Sequence, residues 1–189
     1  MSLAAEIVAI RPADRADLPA LHALIEGAYR GDEARQGWTH EADLLDGQRT
    51  DADALREMLD DPAQRLLVAD QGGVLVGCVS LRDLSEDKAY LGLLTVAPGR
   101  QAGGLGRRLL AAAEEEARRR GASWVEMTVI RQRGELIAWY ERRGYARTGE
   151  FRPFPLDDPR FGLPRTRALE FAVLERALAP PEHARYKPV

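Results

Sequence analysis

The stretch "LTVAPGRQAGGLGRRLLAAAEEEARRRG", from Leu94 to Gly121, runs from a strand-like apolar segment through a proline and four glycines into a long helical pattern. A turn from a strand into a helix N-terminus gathers unpaired backbone N–H groups at the positive end of the helix dipole, and this combination binds anions, phosphate above all. Glycines let a ligand approach that backbone closely because they carry no Cβ. The stretch therefore predicts an anion-binding turn.

Two nucleotide-binding motifs compete for this turn. A P-loop requires a lysine followed by serine or threonine after its last glycine, whereas Arg107 and Arg108 follow Gly106, so the hydroxyl that binds Mg²⁺ is missing. A dinucleotide fingerprint requires a third glycine where Leu109 stands. Glu126 lies at a suitable distance for a ribose contact, but it is placed in the middle of a strand. A nucleotide-binding regulator is therefore the weaker alternative.

A third pattern matches better. The segment "VAPGRQAGGLGRRLL" resembles the acyl-CoA loop of the GNAT superfamily of acyl-CoA-dependent N-acyltransferases, Gln/Arg-x-x-Gly-x-Gly/Ala behind a strand ending in Val-x-Pro. Gln101, Gly104 and Gly106 match this pattern. The sequence departs from the family at Ala102, where glycine is usual, and at Arg133, where an asparagine often stands.

A second segment, "AWYERRGYARTGEF" at 138–151, resembles the family's downstream motif, an aromatic-Tyr-Glu group, two residues, then glycine and an aromatic residue. Two motifs in the family's order and spacing favour the resemblance over chance. It implies an N-acetyltransferase that moves an acetyl group from acetyl-CoA, a co-substrate, to the amine of a small molecule, amino acid or peptide by direct attack in a ternary complex. The alternative is a catalytically silent acyl-CoA-binding regulatory module.

The resemblance places coenzyme A on the strand end and the glycine turn. Backbone N–H groups of 101–107 would hold the pyrophosphate, and the strand amides would pair with pantetheine, with the Leu94 amide polarising the thioester carbonyl. The expected cofactor-binding residues are Leu94, Thr95, Val96, Gln101, Ala102, Gly103, Gly104, Leu105, Gly106 and Arg107.

Two residues are the expected catalytic groups. Tyr140 matches the motif tyrosine and is predicted to donate a proton to the departing thiolate. Glu126, on one strand face with Trp124 and Thr128, is predicted to be the base that takes a proton from the amine, because a carboxylate in a sheet covered on both sides needs a reason to be there. The resemblance also places the acceptor between 38–50 and 152–167, where Trp38, Phe154, Arg160 and Phe161 are candidate lining residues.

Hydrophobic periodicity predicts the order β-α-α-β-β-β-α-β-α-β-β, an α/β fold with a mixed, GNAT-like β-sheet and helices on both faces. With 189 residues and 45% apolar content, one domain over 1–176 and a tail over 177–189 are expected. Gln71-Gly72-Gly73 predicts a hairpin turn, and Gly92 a bulge. The acidic and basic residues of "EEEARRRG" are spaced to form ion pairs along a solvated helix face.

The net charge of −3, with 27 basic and 30 acidic residues, gives no attraction to nucleic acid. The single cysteine, Cys78, excludes an intrachain disulfide and is expected to be buried. The N-terminus lacks a signal-peptide pattern and no segment is apolar enough for a membrane helix, so a cytoplasmic protein without membrane contact is expected. His22, His40 and His183 lack metal-ligand spacing, and no metal is expected. The resemblance allows a homodimer.

Overall fold

A computed structural model describes residues 7–178. Residues 1–6 and 179–189, the latter including most of the predicted tail and His183, lie outside the described part of the chain. The strands are β1 (Ala9–Pro12), β2 (Leu45–Asp46), β3 (Gln64–Gln71), β4 (Val74–Asp83), β5 (Lys88–Val96), β6 (Trp124–Ile130), β7 (Ala146–Pro153), β8 (Leu163–Pro164) and β9 (Glu170–Ala177). The helices are α1 (Leu18–Tyr29), α2 (Gly31–Ala34), α3 (Ala52–Asp60), α4 (Leu105–Arg119) and α5 (Gly134–Glu141).

Seven strands form one mixed sheet in the order β1-β3-β4-β5-β6-β9-β7. Only β5 and β6 are parallel, joined by the crossover through α4, and every other pair is antiparallel. The β3–β4 hairpin turns on Gly72 and Gly73, both with positive φ, as a two-residue turn requires. The predicted α/β fold is confirmed.

Helices cover both faces of the sheet. On one face α4 and α5 bury Leu109, Leu110 and Ile137 against it. On the other, α1 and α3 bury a second cluster that includes Ile25 and Leu55. Cys78 belongs to this second cluster and is fully buried, as expected, and burial raises the pKa of its thiol to about 12.

A bulge in the middle of the sheet creates the opening for a ligand. Cys78 pairs with Thr95 and Ser80 with Gly92, so two residues of β5 lie opposite one residue of β4. Leu93 adopts a φ of 47°, a left-handed conformation that leucine rarely adopts. Beyond this point β5 separates from β6, since their parallel pairing covers only Lys88–Tyr90 of β5. A wedge therefore opens between the two strands.

Two local expectations were wrong. The sequence pattern missed β2 and β8, two-residue strands that pair with each other, because so short a pair shows no periodicity. Glu114 is buried instead of solvated and accepts hydrogen bonds from Tyr145 and Arg176. Asp51 caps α3 by accepting a hydrogen bond from the Ala54 amide.

In the rest of α4 ion pairs form between residues three apart, Arg118 with Glu115 and Arg119 with Glu116. Within residues 7–178, no helix is both long and apolar enough to cross a membrane.

Candidate active site

The glycine turn lies at the wide end of the wedge. After β5, Pro98–Gly103 forms a 3-10 turn that includes Ala102, and Gly104 then begins α4 as its N-cap with a φ of 73°. Only glycine adopts this left-handed conformation without strain. No side chain caps the helix, so the first amides of α4 keep their hydrogen-bonding capacity for a ligand.

The side chain of Gln101 holds the turn in place. Its Oε1 accepts a hydrogen bond from the Trp38 amide at 2.8 Å, and its Nε2 donates to the Val96 carbonyl at 3.3 Å. Gln101 therefore contributes to the site by bracing the loop, with its side chain occupied by protein partners. The contact also draws the segment after α2 over the turn.

A cavity of about 500 Å³ extends from the turn along β5 to α5. Nine of the residues predicted to bind the cofactor or to act in catalysis line this cavity: Leu94, Thr95, Val96, Gln101, Gly103, Gly104, Gly106, Arg107 and Tyr140. Leu105 is buried beneath the turn and does not line it. Gly106 packs close to Trp139, and a Cβ added there would lie 3.6 Å from that ring.

Two arginines make the turn end of the cavity positive. Arg107 and Arg143 both line it. Arg143 stacks on Trp139 with its guanidinium carbon 3.5 Å from the ring centroid, and its Nε is buried without a hydrogen-bond partner in the described part of the chain. Burial lowers the pKa of Arg143, and the neighbouring charges of Arg142 and Arg107 add to the effect. A cluster of like charges with an unsatisfied donor fits the phosphate groups of a ligand such as coenzyme A.

A second, smaller cavity of about 180 Å³ lies on the other side of the wedge. The two cavities share five lining residues: Tyr29, Leu94, Arg133, Leu136 and Tyr140. They therefore meet at one junction. Of the four residues predicted near the acceptor, Phe154 and Phe161 line the second cavity, Trp38 lines the first, and Arg160 lines neither and binds Asp158 instead.

Tyr140 stands at this junction. Its side chain is almost fully buried, with its ring edge-on to Trp139 and Tyr145. Within residues 7–178 its hydroxyl makes no hydrogen bond, although it borders both cavities. Burial raises the pKa of the phenol above its ordinary value, with the nearby Tyr29 adding to the effect. Tyr140 therefore keeps its proton at neutral pH.

Tyr29 contacts the backbone of β5 at the junction. Its hydroxyl donates a hydrogen bond to the Leu94 carbonyl at 3.0 Å. Leu94 lies in the bulge and lines both cavities, so its backbone is at the junction. Tyr29 carries no motif signal, and sequence reasoning missed it. Trp139 and Arg143 lie within the second motif, but they were not predicted as site residues.

Glu126, the predicted base, lies outside both cavities. The carboxylate is buried in the sheet, where it accepts a hydrogen bond from Arg152 at 2.5 Å and lies 3.7 Å from the Lys88 ammonium. The sequence placed Glu126 on the same strand face as Thr128, but only Thr128 reaches the second cavity. Glu126 is buried here because it belongs to an ion-pair network, and the geometry does not support a role for Glu126 as the base.

The buried carboxylate that does border the junction is Glu41. Arg30 donates to its Oε2 at 2.7 Å, Arg133 donates to its Oε1 at 2.9 Å, and Arg49 lies 3.8 Å away. Burial alone would raise the pKa of Glu41, but the three guanidinium groups outweigh burial and lower it. Arg133, the position where the family often has asparagine, therefore ties α5 to this network.

A splayed strand that leads from a glycine-rich helix start to a second cavity, with a phenol where the two meet, is the arrangement expected of a transferase. Such a protein would hold a phosphate-bearing carrier along the strand and present its end to an acceptor.

Comparisons with known proteins identify the class. The family model for the acetyltransferase (GNAT) domain matches residues 32–153. The chain belongs to the GNAT acetyltransferase family, whose enzymes use acetyl-CoA as co-substrate.

Individual relatives agree with this assignment. An IAA acetyltransferase of Azospirillum brasilense is 33% identical over 102 residues, 53% of this chain and 67% of the relative. The ribosomal-protein-alanine N-acetyltransferase of Brucella melitensis shares 25% identity with a TM-score of 0.66, over 90% of this chain and 99% of that one. The fold is also that of yncA of Salmonella typhimurium, solved with its cofactor acetyl-CoA, at 21% identity and a TM-score of 0.68 over 97% and 98% of the two chains.

Proposed function

We propose that this protein is an N-acetyltransferase that transfers the acetyl group of acetyl-CoA to the amine of a small molecule, amino acid or peptide by direct attack in a ternary complex. The observation that carries the proposal is the junction: a large cavity from the glycine turn and a small second cavity meet at Leu94 and Tyr140. Carrier and acceptor can therefore be bound together, with the reacting groups side by side.

The turn and strand would hold the co-substrate. The amides of 101–107 and the guanidinium groups of Arg107 and Arg143 bind phosphate groups, and the open edge of β5 pairs with the pantetheine arm. The bound thioester supplies an activated acetyl group. Leu94 lines both cavities, and its amide is proposed to stabilise negative charge on the carbonyl oxygen during attack.

Tyr140 is proposed as the acid. Its free hydroxyl borders both cavities, and the raised pKa keeps it protonated, so it can donate a proton to the sulfur as the C–S bond breaks. Solvent then returns a proton to the phenol. The neighbouring guanidinium of Arg133 makes this transfer easier, because its positive charge opposes the pKa rise.

The amine is proposed to lose its proton to water instead of to Glu126. Among the acidic residues of the described chain, only Glu41 lines either cavity, and its two oxygens are already bonded to Arg30 and Arg133. A carboxylate with a lowered pKa is a weak base. The positive charges around it disfavour a bound ammonium ion, so the site favours the neutral amine that attack requires.

The proposed co-substrate also bears on the cellular location of the protein. Acetyl-CoA is supplied in the cytoplasm, and the protein is proposed to act there.

The experiment that tests the function compares the wild-type protein with Tyr140→Phe. Release of coenzyme A from acetyl-CoA is followed with a panel of amines, and acetyl-CoA affinity is measured separately by calorimetry. Loss of the acid should lower kcat by about 100-fold or more, while the dissociation constant for acetyl-CoA changes by less than about threefold.

The outcome also separates an enzyme from a silent binding module. Acetyl-CoA binding without coenzyme A release for any amine would favour the silent module. A collapse of affinity in Tyr140→Phe would make Tyr140 a packing residue and place the acid elsewhere.

A further inference from the structure

The second cavity holds positive charge that the protein itself does not neutralise. Arg30 and Arg133 each bind one oxygen of Glu41, so this carboxylate is matched by two cations before Arg49 is counted. The other nearby carboxylate, Glu26, accepts hydrogen bonds from the backbone amides of Arg49 and Thr50 through its Oε1. The cavity therefore has a surplus of cations.

Arg49 is the cation left without a close partner. Its guanidinium stacks on the Tyr29 ring, 5.0 Å from the centroid, and its Nε lies 3.8 Å from Glu41, beyond hydrogen-bond distance. Within residues 7–178 its side chain donates no hydrogen bond, although it lines the second cavity and is only 27% exposed. The Arg49 guanidinium is half-buried and held on an aromatic ring, and its N–H donors are available to bind a planar anion such as a carboxylate.

The rest of the second cavity is mainly apolar. Its lining includes seven apolar side chains from three strands (β2, β6 and β9) and the connection between β7 and β9: Leu45, Met127, Val129, Ile130, Phe154, Phe161 and Phe171. Phe154 and Phe171 pack together with their ring centroids 5.2 Å apart. An occupant of this cavity must therefore bring an apolar group as well as an anion.

We infer that the acceptor is a small amine that also carries a carboxylate and an apolar side chain, and that Arg49 binds the carboxylate. The apolar side chain occupies the phenylalanine-lined end, and the amine lies at the junction with the acetyl group. This inference rests on the proposed function and narrows its acceptor class to compounds of the amino-acid type.

The test uses pairs of acceptors that differ only in the carboxylate. Phenylalanine is compared with phenethylamine, and leucine with isoamylamine, by coenzyme A release with the wild-type protein. Charged hydrogen bonds of this kind contribute about 1.5 to 3 kcal/mol, so kcat/KM should be about 10- to 100-fold higher for the amino acid of each pair. The inference would be overturned if both members of a pair were acetylated equally well, or if only the amines that lack a carboxylate were acetylated. Either result would leave the proposed function standing.

Variants then locate the effect at Arg49. Arg49→Met should remove the preference, mainly through a higher KM for the amino acid, and should lower kcat/KM far less for the decarboxylated amine than for the amino acid. Arg49→Lys should restore part of it, because lysine keeps the charge without the planar fork. Arg160→Met is the matched control, since Arg160 lies in the same region, bound to Asp158 and outside both cavities. Equal losses for both acceptors in Arg49→Met would mean that Arg49 is structural.

A binding measurement separates this inference from the proposed function. Calorimetry with N-acetylphenylalanine, in the presence of coenzyme A, reports on Arg49 without turnover. Binding to wild type that is lost in Arg49→Met supports the carboxylate site, and binding that is unchanged overturns it. If no amine of any class releases coenzyme A, the proposed function fails whatever the binding result.

Discussion

At the scale of single residues, the site depends on what surrounds each ionisable group. Tyr140 and Glu126 were both selected from the sequence, and both are buried. Tyr140 borders two cavities with a free hydroxyl, whereas Glu126 is enclosed by Arg152 and Lys88. The sequence could identify Tyr140 through a motif. It could not exclude Glu126, because Arg152 lies 26 residues away and only the sheet brings the two together.

The pH dependence of the rate distinguishes the two assignments. We expect kcat/KM to rise with pH as the acceptor loses its proton in water, without an alkaline decline below about pH 10, because burial raises the pKa of Tyr140 above its usual 10.0. Glu126→Gln should leave this profile unchanged while lowering the thermal midpoint, since it leaves Arg152 without its buried partner. If kcat/KM no longer rose with pH in Glu126→Gln, Glu126 would again be assigned as the base.

At the scale of elements, the glycine turn and α4 were the most predictable part of the molecule. The helix begins at Gly104 and buries the apolar face that the pattern predicted, because an amphipathic helix has a periodic signal over many residues. The strands β2 and β8 and the arginine network around Glu41 have no such signal. They depend on contacts between distant segments, such as Leu45 with Pro164 and Arg133 with Glu41.

Gly106 offers an element-scale test in which stability and binding move in opposite directions. It lies inside α4 without a positive φ, and a Cβ there would meet its nearest neighbours, Trp139 and Val96, at an ordinary 3.6 Å. Gly106→Ala should therefore raise the free energy of unfolding by about 0.5 to 1 kcal/mol, because alanine is the better helix former. The same methyl group projects into the cavity and should weaken acetyl-CoA binding.

The control for Gly106→Ala is Gly134→Ala, at the start of α5. A Cβ at Gly134 meets nothing within 4 Å, and the residue lines neither cavity. It should leave acetyl-CoA affinity unchanged, as measured by calorimetry beside urea denaturation. Unchanged affinity in Gly106→Ala would contradict the placement of the ligand against α4.

At the scale of the whole molecule, the opening between β5 and β6 is the feature that brings the two cavities together. After Tyr90, β5 no longer pairs with β6 and then bulges against β4 at Leu93, and the resulting wedge joins the cavity above the glycine turn to the cavity under Phe154 and Phe161. The order of elements and the motifs allowed the fold and the carrier side to be predicted. The acceptor side could be predicted only as a region, because its lining comes from segments without a periodic pattern.

The central claim is that the glycine turn binds the phosphate end of acetyl-CoA. The most direct test is calorimetry of acetyl-CoA, coenzyme A, ATP and NAD against wild type, Gly103→Glu and Gly134→Glu. Gly103 is preferable to Gly104, because a Cβ at Gly103 meets nothing within 4 Å and its φ is not left-handed, so the variant adds a carboxylate to the turn without backbone strain.

We predict micromolar binding of acetyl-CoA and coenzyme A to wild type and to Gly134→Glu, and its loss in Gly103→Glu through repulsion of the phosphates. Equal binding to all three proteins, or a preference for ATP or NAD over acetyl-CoA, would contradict the claim.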